Sequence, residues 1–319
     1  MAHGAAVSVS ESLTLAEDTV QESAHGTLMR RAARASLAVS IGLVALKAAA
    51  YLLTNSVSML ASLADSALDL FSSTLNLVAI RSSLTPADEE HRWGHGKAEP
   101  LAGLGQGAFI AGSATFLIIQ AINRFILPEP LERPTAGLIV MGISIVATLA
   151  LVTYQRRVVT KTGSIAVSAD RMHYATDLVT NIGVVLAIAL TEWFGWRLAD
   201  PVIALGIAAV LIWSAWSVFV QSYNQLMDRE LPDAERERIK AVVMRNPDVR
   251  NLHDLRTRAA GVHTFIQFHI ELDPTISITR AHEISDRVEN SVCEEFPNSE
   301  VIIHQDPAGL ERPGGLARS

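Results

Sequence analysis

Six long apolar stretches occupy the first two thirds of the chain, and polar segments separate them. A helix needs about 20 mainly apolar residues to cross a bilayer, and each stretch is long enough to approach or exceed that length. The pattern predicts an all-α transmembrane domain with six spans, which places both termini on the same side of the membrane. The predicted spans are 35–54, 56–80, 100–126, 135–154, 164–190 and 202–221.

After Asp228 the pattern changes to that of a soluble domain. In one strand-like run Ile266, Phe268 and Ile270 alternate with polar residues that include His269, so one face of the strand is apolar. Two amphipathic helices and two further strands surround this run. Their order predicts an αββαβ domain of the α+β class, with helices covering one face of a small sheet. The predicted elements are 231–246, 252–260, 262–272, 278–296 and 300–304.

Composition fits a membrane domain with a polar appendage. The 319 residues are 49% hydrophobic and 18% charged, which is too apolar for an ordinary soluble protein and too charged for a helical membrane bundle alone. A net charge of -7 without a basic stripe argues against a nucleic-acid partner. The one cysteine, Cys293, allows neither a disulfide nor a thiolate metal site within one chain. No motif predicts a nucleotide or another organic cofactor.

These patterns divide the chain into four segments. Residues 1–27 are rich in Ser, Glu and Ala and are predicted to form a disordered tail. Residues 28–225 form the transmembrane domain, residues 226–307 the soluble domain, and residues 308–319 a C-terminal tail.

Basic residues near the span ends predict the orientation. Cytoplasmic loops carry an excess of Lys and Arg, and one side of the predicted domain has far more of them than the other. The termini lie on that richer side and are therefore predicted to be cytoplasmic. The richer side holds Arg30, Arg31, Arg34, Arg81, Arg92, Lys97, Arg156, Arg157 and Lys161, and the other holds Arg124, Arg133 and Arg197.

Two spans carry paired polar residues that belong on one helical face. Asp65 and Asp69 are four residues apart in the second span, and His173 and Asp177 are four apart in the fifth. An ionised carboxylate in a span costs about 2.5 to 3.5 kcal/mol on insertion scales, so a compensating cation is expected. Three carboxylates and one imidazole suit tetrahedral Zn²⁺, with iron, cobalt, manganese and cadmium as alternatives. Hydrogen bonding between the two helices is the other interpretation.

Asp170 lies one turn before His173. It could be a metal ligand on the way into this site. The adjacent Arg171 favours instead an ion pair at the membrane interface.

Two further groups have metal-ligand character. Asp88, His91 and His95 lie in the loop between the second and third spans, where the alternative is a solvated acidic loop. The other group lies in the soluble domain and consists of four of the chain's ten histidines and a nearby carboxylate, and each of these residues taken alone is typical of an ordinary surface. The residues of this last group are His253, His269, His282, His304 and Asp306.

The motifs together resemble the cation diffusion facilitator family, and within it the bacterial zinc and ferrous-iron efflux branch. The resemblance rests on DxxxD and HxxxD in the second and fifth of six spans, PADEEHRWGHGKAE between them, and HDLRTR and VIIHQDP in the soluble domain. It implies a homodimer in the bacterial inner membrane that exchanges a divalent cation for protons. It also implies a cytoplasmic domain of the metallochaperone-like, ferredoxin-related type.

The same resemblance assigns the candidate residues to three sites. Asp65, Asp69, His173 and Asp177 would form the transport site, and Asp88, His91 and His95 a loop site. The soluble domain would hold a binuclear site at the dimer interface, in which the metal acts as a regulatory ligand. This last site would consist of His253, His269, His282, His304 and Asp306.

A secondary active transporter is therefore expected rather than an enzyme. Intramembrane aspartyl proteases also pair carboxylates, but no glycine precedes Asp65, Asp69 or Asp177 in a GxGD-type spacing. A metal receptor or scaffold that does not transport remains an alternative, as does a transporter for iron or manganese rather than zinc.

Overall fold

The computed structural model describes residues 4–54, 57–126, 135–194, 196 and 198–309. The chain divides into a helical unit, His25–Tyr223, and a second unit that includes the residues from Asn224 onward. The predicted C-terminal tail lies outside the described residues except for its first two.

Six long helices coincide with the six apolar stretches. Among the described residues, five of them contain a segment long and apolar enough to cross a membrane. The fifth helix carries Asp170, Arg171, His173 and Asp177 in its first half. The helices are α1 (Gly4–Thr54), α2 (Val57–Ser83), α3 (Ala98–Ile126), α4 (Thr135–Thr162), α5 (Ile165–Phe194) and α6 (Ala199–Leu226).

The N-terminal segment differs from the disordered tail predicted for residues 1–27. Helix α1 already begins at Gly4 and continues without a break into the first apolar stretch. Alanine, leucine and glutamate in this segment have high helix propensity, and a helix that has already begun extends at low cost.

A stripe of small residues lets α3 approach α6 closely. A Cβ atom added at Gly103 would overlap Ser222 Oγ on α6, and one added at Gly107 would lie 3.5 Å from the carbonyl oxygen of Ala215. Only small residues permit this distance between helix backbones. Helix α5 packs against α3, α4 and α2, which brings the two helices with paired polar residues side by side.

The second unit has the predicted αββαβ order. Its three strands form one sheet in the order β1-β2-β3, with β1 antiparallel to β2 and β2 parallel to β3. Gly261, whose φ is +64°, makes the turn between β1 and β2, where residues without a side chain are favoured. The elements are α7 (Asp233–Val243), β1 (Asn251–Ala260), β2 (His263–Leu272), α8 (Ile278–Glu295) and β3 (Ser299–Pro307).

One face of this sheet packs against both helices and forms the core of the unit. Ile266, Phe268 and Ile270 are buried there, together with Ile239 of α7 and Val288 of α8. The alternation predicted for β2 is therefore confirmed, and His269 belongs to the opposite face. That opposite face is where the polar side chains of the three strands meet.

Candidate metal centres

The structure brings the paired residues of α2 and α5 together. His173 Nε2 lies 3.1 Å from Asp69 Oδ1 and 3.8 Å from Asp177 Oδ2. One ligand atom from each of these residues falls within 4.8 Å of the others. His173 is buried, whereas Asp69 and Asp177 are half-buried. The arrangement presents two carboxylate oxygens and one imidazole nitrogen to a common point between the helices.

Asp65 is not part of this compact group. It lies one turn before Asp69 on α2 and is exposed. Asp177 Oδ2 is buried and accepts no hydrogen bond from the described residues, so its lone pairs are available to an ion. Three of the four residues predicted for this site therefore lie together, and the fourth is adjacent along the same helical face.

Lys47 of α1, which lies within the first predicted span, is bonded to α2 next to this group. Its Nζ donates hydrogen bonds to the carbonyl oxygen of Ser62 at 3.2 Å and to Ser66 Oγ at 2.6 Å, both on α2. Ser66 directly follows Asp65 in the chain. The Lys47 side chain of α1 is therefore held against the helix that carries two of the candidate ligands.

A hydroxyl cluster connects α1, α2 and α5 next to the metal centre. Tyr174 Oη lies 2.8 Å from Ser40 Oγ and 2.7 Å from Ser73 Oγ, and the Ser40 hydroxyl donates to Ser73 Oγ at 3.1 Å. Tyr174 follows His173, and Ser73 lies one turn after Asp69. These bonds fix the relative rotation of the ligand-bearing helices. The sequence feature that could have predicted this cluster is the spacing of Ser36 and Ser40, which lie four residues apart in an apolar helix.

Asp170 does not form the interfacial ion pair that its neighbour Arg171 suggested, so that prediction was wrong. Its side chain is buried and makes no ion pair with any described residue. Instead, Ser36 Oγ and Gln155 Nε2 donate hydrogen bonds to Asp170 Oδ2. These partners come from α1 and α4, far away in sequence.

Glu99 holds the amino-terminal end of α5. The Ser164 hydroxyl donates to Glu99 Oε2 at 2.6 Å, and the Ala166 N–H donates to the same oxygen at 3.3 Å. A carboxylate at this end also interacts favourably with the helix dipole. The first turn of α3 is thereby tied to the helix that carries His173 and Asp177.

The loop group is assembled as predicted, on the exposed surface. Asp88 Oδ1 lies 3.5 Å from His91 Nδ1, and Asp88 Oδ2 lies 3.3 Å from His95 Nε2. Hydrogen bonds from the backbone N–H groups of His91 and Glu90 lower the pKa of Asp88, so the carboxylate is ionised at neutral pH. His95 Nδ1 lies 3.3 Å from the carbonyl oxygen of Thr85; donating to it leaves Nε2 free to bind a metal.

A row of three histidines crosses the polar face of the sheet. The strand register pairs His253 with His269, and His269 with His304. The ring centroids are 5.1 and 4.5 Å apart along this row. A bulge in β1 follows His253, where Asp254 has a φ of +48°. Bulges redirect neighbouring side chains, and this one lies beside the histidine row.

Asp306 completes the group on β3. The His269 Nδ1–H donates to Asp306 Oδ2 at 2.8 Å, and His253 Nε2 lies 3.4 Å from the same oxygen. Partial burial works to raise the pKa of Asp306, but the hydrogen bond from His269 and the neighbouring histidines lower it on balance. One ligand atom each from His253, His269 and Asp306 falls within 4.8 Å of the others.

The other two predicted ligands lie outside this compact group. His304 Nε2 is 3.3 Å from Asp306 Oδ1, and its side chain is largely exposed. His282 is exposed on α8, where its Nδ1 lies 3.5 Å from Asp286 Oδ1. Within one chain, His253, His269 and Asp306 thus lie together on the sheet. The side chains of His282 and His304 lie outside this group and are exposed.

Two family profiles match the chain. The profile described as "Cation efflux transmembrane domain" covers residues 33–227, and "Cation efflux protein, cytoplasmic domain" covers residues 231–308. Among solved structures, the metal-bound C-terminal domain of the CzcD transporter from Thermotoga maritima is 32% identical and covers 25% of this chain and all of that chain, with a TM-score of 0.24. The cytosolic domain of a cation diffusion facilitator family protein is 34% identical and covers 24% of this chain and 92% of that chain, with a TM-score of 0.23.

Relatives that match over nearly the whole chain are bacterial cation-efflux pumps. The cation-efflux pump FieF of Klebsiella pneumoniae subsp. pneumoniae is 46% identical over 286 residues, which are 90% of this chain and 95% of the relative. FieF of Salmonella newport is 45% identical over the same shares of both chains. Both profiles and both relatives agree with the resemblance drawn from the motifs. The chain is therefore an integral membrane protein of the cation diffusion facilitator family, a family of cation-efflux transporters.

Proposed function

We propose that this chain exports a divalent metal cation in exchange for protons, by alternating access in a homodimer. Zinc is the first candidate, and ferrous iron, cadmium, manganese and cobalt are the others. The observation that carries the proposal is the convergence of Asp69, His173 and Asp177 between two helices of the transmembrane unit. Asp65 would join them as the fourth ligand when the helices close around the ion.

The ligand atoms of this site account for two parts of the proposal, namely that the substrate is a divalent cation and that it is exchanged for protons. A divalent ion among three carboxylates and one neutral imidazole would leave the site with a net charge of -1. Metal binding requires deprotonated carboxylates and a neutral imidazole, so protons compete with the metal for the same atoms. Protons that enter from the outer side would displace the ion there and then leave toward the cytoplasm.

The loop group and the group on the sheet would both regulate the transport site. The histidine row and Asp306 lie on the open face of the sheet, where the partner of a homodimer would supply further ligands. His282 and His304, whose rings are exposed, would then complete a binuclear site between two chains. A metal ion that cross-links two domains would favour one arrangement of the dimer. The loop group would bind more weakly, because it is exposed to water.

The topology follows from the same proposal. Helix α5 would also cross the membrane, as the fifth of six spans, with its polar face turned toward its neighbours rather than toward lipid. Both termini would be cytoplasmic, in the inner membrane of a bacterium. The αββαβ unit would be of the metallochaperone-like, ferredoxin-related type.

Flux measurements test the transport site. In proteoliposomes that contain the full-length protein and a metal-sensitive dye, a pH gradient should drive zinc uptake, and Asp69→Asn should abolish it. The matched control is Asp233→Asn, which changes an exposed carboxylate on α7 and should leave flux intact. Full flux in Asp69→Asn would overturn the site assignment.

The same assay separates transport from the alternative of a metal receptor or scaffold. A receptor would bind zinc with the same residues but would move none across the bilayer in the wild-type protein. A panel of zinc, ferrous iron, manganese, cobalt and cadmium would rank the cargoes. An Asp-rich site with one histidine is expected to accept several of them.

A further inference from the structure

The hydroxyl cluster of Ser40, Ser73 and Tyr174 lies inside the helical unit. The exposed fractions of the three residues are 0%, 0% and 1%. Their side-chain oxygens form a triangle with sides of 2.7, 2.8 and 3.1 Å, and each oxygen belongs to a different helix. Hydrogen bonds in a buried position are stronger than those on a surface, because water does not compete for the donors and acceptors. The cluster is therefore a firm connection between α1, α2 and α5.

Two neighbouring contacts join α2 to α5. In the first, His173 Nε2 lies 3.1 Å from Asp69 Oδ1. In the second, Tyr174 Oη lies 2.7 Å from Ser73 Oγ. Ser73 follows Asp69 by four residues on the same face of α2, and Tyr174 directly follows His173 on α5. The two helices therefore carry a pair of ionisable candidate ligands and a pair of neutral hydroxyls side by side.

The binding of a metal ion affects these two contacts differently. A ring nitrogen cannot bind a metal and donate a hydrogen bond at the same time. An ion held by His173 Nε2 would therefore replace the hydrogen bond between that atom and Asp69. The bond between Ser73 and Tyr174 involves no candidate ligand atom and needs no ion, so it can hold the two helices in place with and without the metal.

Tyr174 also contacts the neighbouring candidate ligand through its ring. The rings of His173 and Tyr174 pack edge to face, with centroids 5.5 Å apart. At its other end, the Tyr174 hydroxyl lies 3.5 Å from the carbonyl oxygen of Ser36 on α1, in addition to its two serine partners. The tip of the side chain is thus held by α1 and α2 while its ring lies against His173. A shift of Tyr174 would therefore shift His173.

We propose that Tyr174 is a positioning residue for the metal centre. Its hydroxyl, bonded to Ser73, sets the distance and the rotation of α5 relative to α2, so that His173 and Asp69 face each other before an ion arrives. The ligands then lose less freedom on binding, which raises the affinity for the ion. Tyr174 acts through His173 and is not itself a ligand. This inference deepens the proposed transport site and rests on it.

Cobalt(II) binding to the full-length protein in detergent tests this role. The absorption of Co²⁺ depends on the geometry of its ligands, and the part of it that Asp69→Asn abolishes belongs to the helical centre. Tyr174→Phe keeps the ring and removes the hydroxyl. It should weaken the Co²⁺ affinity of this centre by about 10- to 100-fold and shift the absorption band, as the loss of an outer partner of a metal ligand does.

Ser73→Ala removes the other half of the same hydrogen bond and should have a similar effect. The double variant should bind hardly more weakly than either single variant, because both changes break one bond. The matched controls remove hydroxyls elsewhere and should leave the affinity unchanged. Tyr223→Phe alters an exposed tyrosine of α6, and Thr74→Ala removes a hydroxyl that donates to the Leu70 carbonyl within α2.

Thermal unfolding of the metal-free variants separates positioning from packing. A purely structural role would lower the melting temperature of Tyr174→Phe but leave its Co²⁺ affinity and absorption band as in the wild type, and that result would overturn the inference while leaving the transport site intact. Ser73→Ala keeps the test valid if Tyr174→Phe does not fold. If Asp69→Asn left the whole Co²⁺ absorption unchanged, the assignment of the transport site would fail together with the inference.

Discussion

The candidate metal centre of the helical unit and the histidine row of the second unit use the same types of side chain, Asp and His, on different scaffolds. Asp69, His173 and Asp177 are carried by two helices that side-chain contacts hold together. His253 and His269 are carried by paired strands, whose register is set by backbone hydrogen bonds. A ladder of backbone bonds fixes ligand spacing, whereas packed helices can shift relative to each other. The comparison suggests a preformed binding site on the sheet and an adjustable one between the helices.

The largest expected effect concerns the scaffold of the histidine row. Phe268 is fully buried on the opposite face of β2. Phe268→Ala should destabilise the second unit by about 3 to 5 kcal/mol, because it leaves a cavity under the row. Hydrogen exchange of the β2 amides in the full-length protein measures this loss. Slow exchange as in the wild type would show that the sheet does not depend on this core.

Exchanging histidine for alanine in each scaffold separates the two centres. His173→Ala should weaken metal binding at the helical centre by more than about 100-fold, since even outer partners of a metal ligand contribute 10–100-fold. His269→Ala should spare that centre and weaken metal-dependent association of two chains. Competition with a chelator reports affinity, and light scattering reports association. If His173→Ala and His269→Ala changed metal affinity and chain association to the same extent, the two centres would not differ in function.

Helix packing tests how adjustable the helical centre is. Gly103→Ala places a methyl group against Ser222 Oγ and should cost about 1 to 3 kcal/mol by pushing α3 away from α6. Ser222→Gly in the same chain should restore most of the stability. Thermal unfolding of the single and double variants measures both effects. Gly105→Ala is the matched control, because a Cβ atom there meets open space.

The smallest expected effect is a pH dependence of the second unit. The pKa of Asp306 is lowered in the folded chain, so its stabilising contribution is complete above the unfolded pKa of about 3.9 and is lost as pH falls through the folded value. Asp306→Asn should therefore reduce stability at neutral pH and flatten the decline in acid. Hydrogen exchange across a pH series in metal-free protein detects this. A parallel decline in both proteins would contradict it.

Much of this arrangement was readable from local patterns in the sequence. Apolar stretches predicted the positions of the long helices, and alternation predicted the polar face of β2. Spacings of four residues predicted that polar side chains of α2 and α5 meet, which Asp69, His173 and Asp177 do, whereas Asp65 lies outside their group. What failed depended on partners distant in sequence. Asp170 was interpreted through Arg171 beside it, whereas its partners Ser36 and Gln155 lie 134 and 15 residues away. The bond from Glu99 to the start of α5 carries no local signature either, because any acidic residue in a first turn fits a helix.

The bond between Glu99 and the first turn of α5 gives that helix a pivot. At about 1.5 Å per residue, His173 lies roughly 12 Å and Asp177 roughly 18 Å from Ile165 along the axis. A tilt of about 10° around the pivot would move the first by roughly 2 Å and the second by roughly 3 Å. His95 lies four residues before Glu99, so the loop histidine and the pivot belong to one short stretch of chain. A tilt of α5 of this size would therefore move His173 and Asp177 relative to the residues on α2 by about the length of a metal–ligand bond.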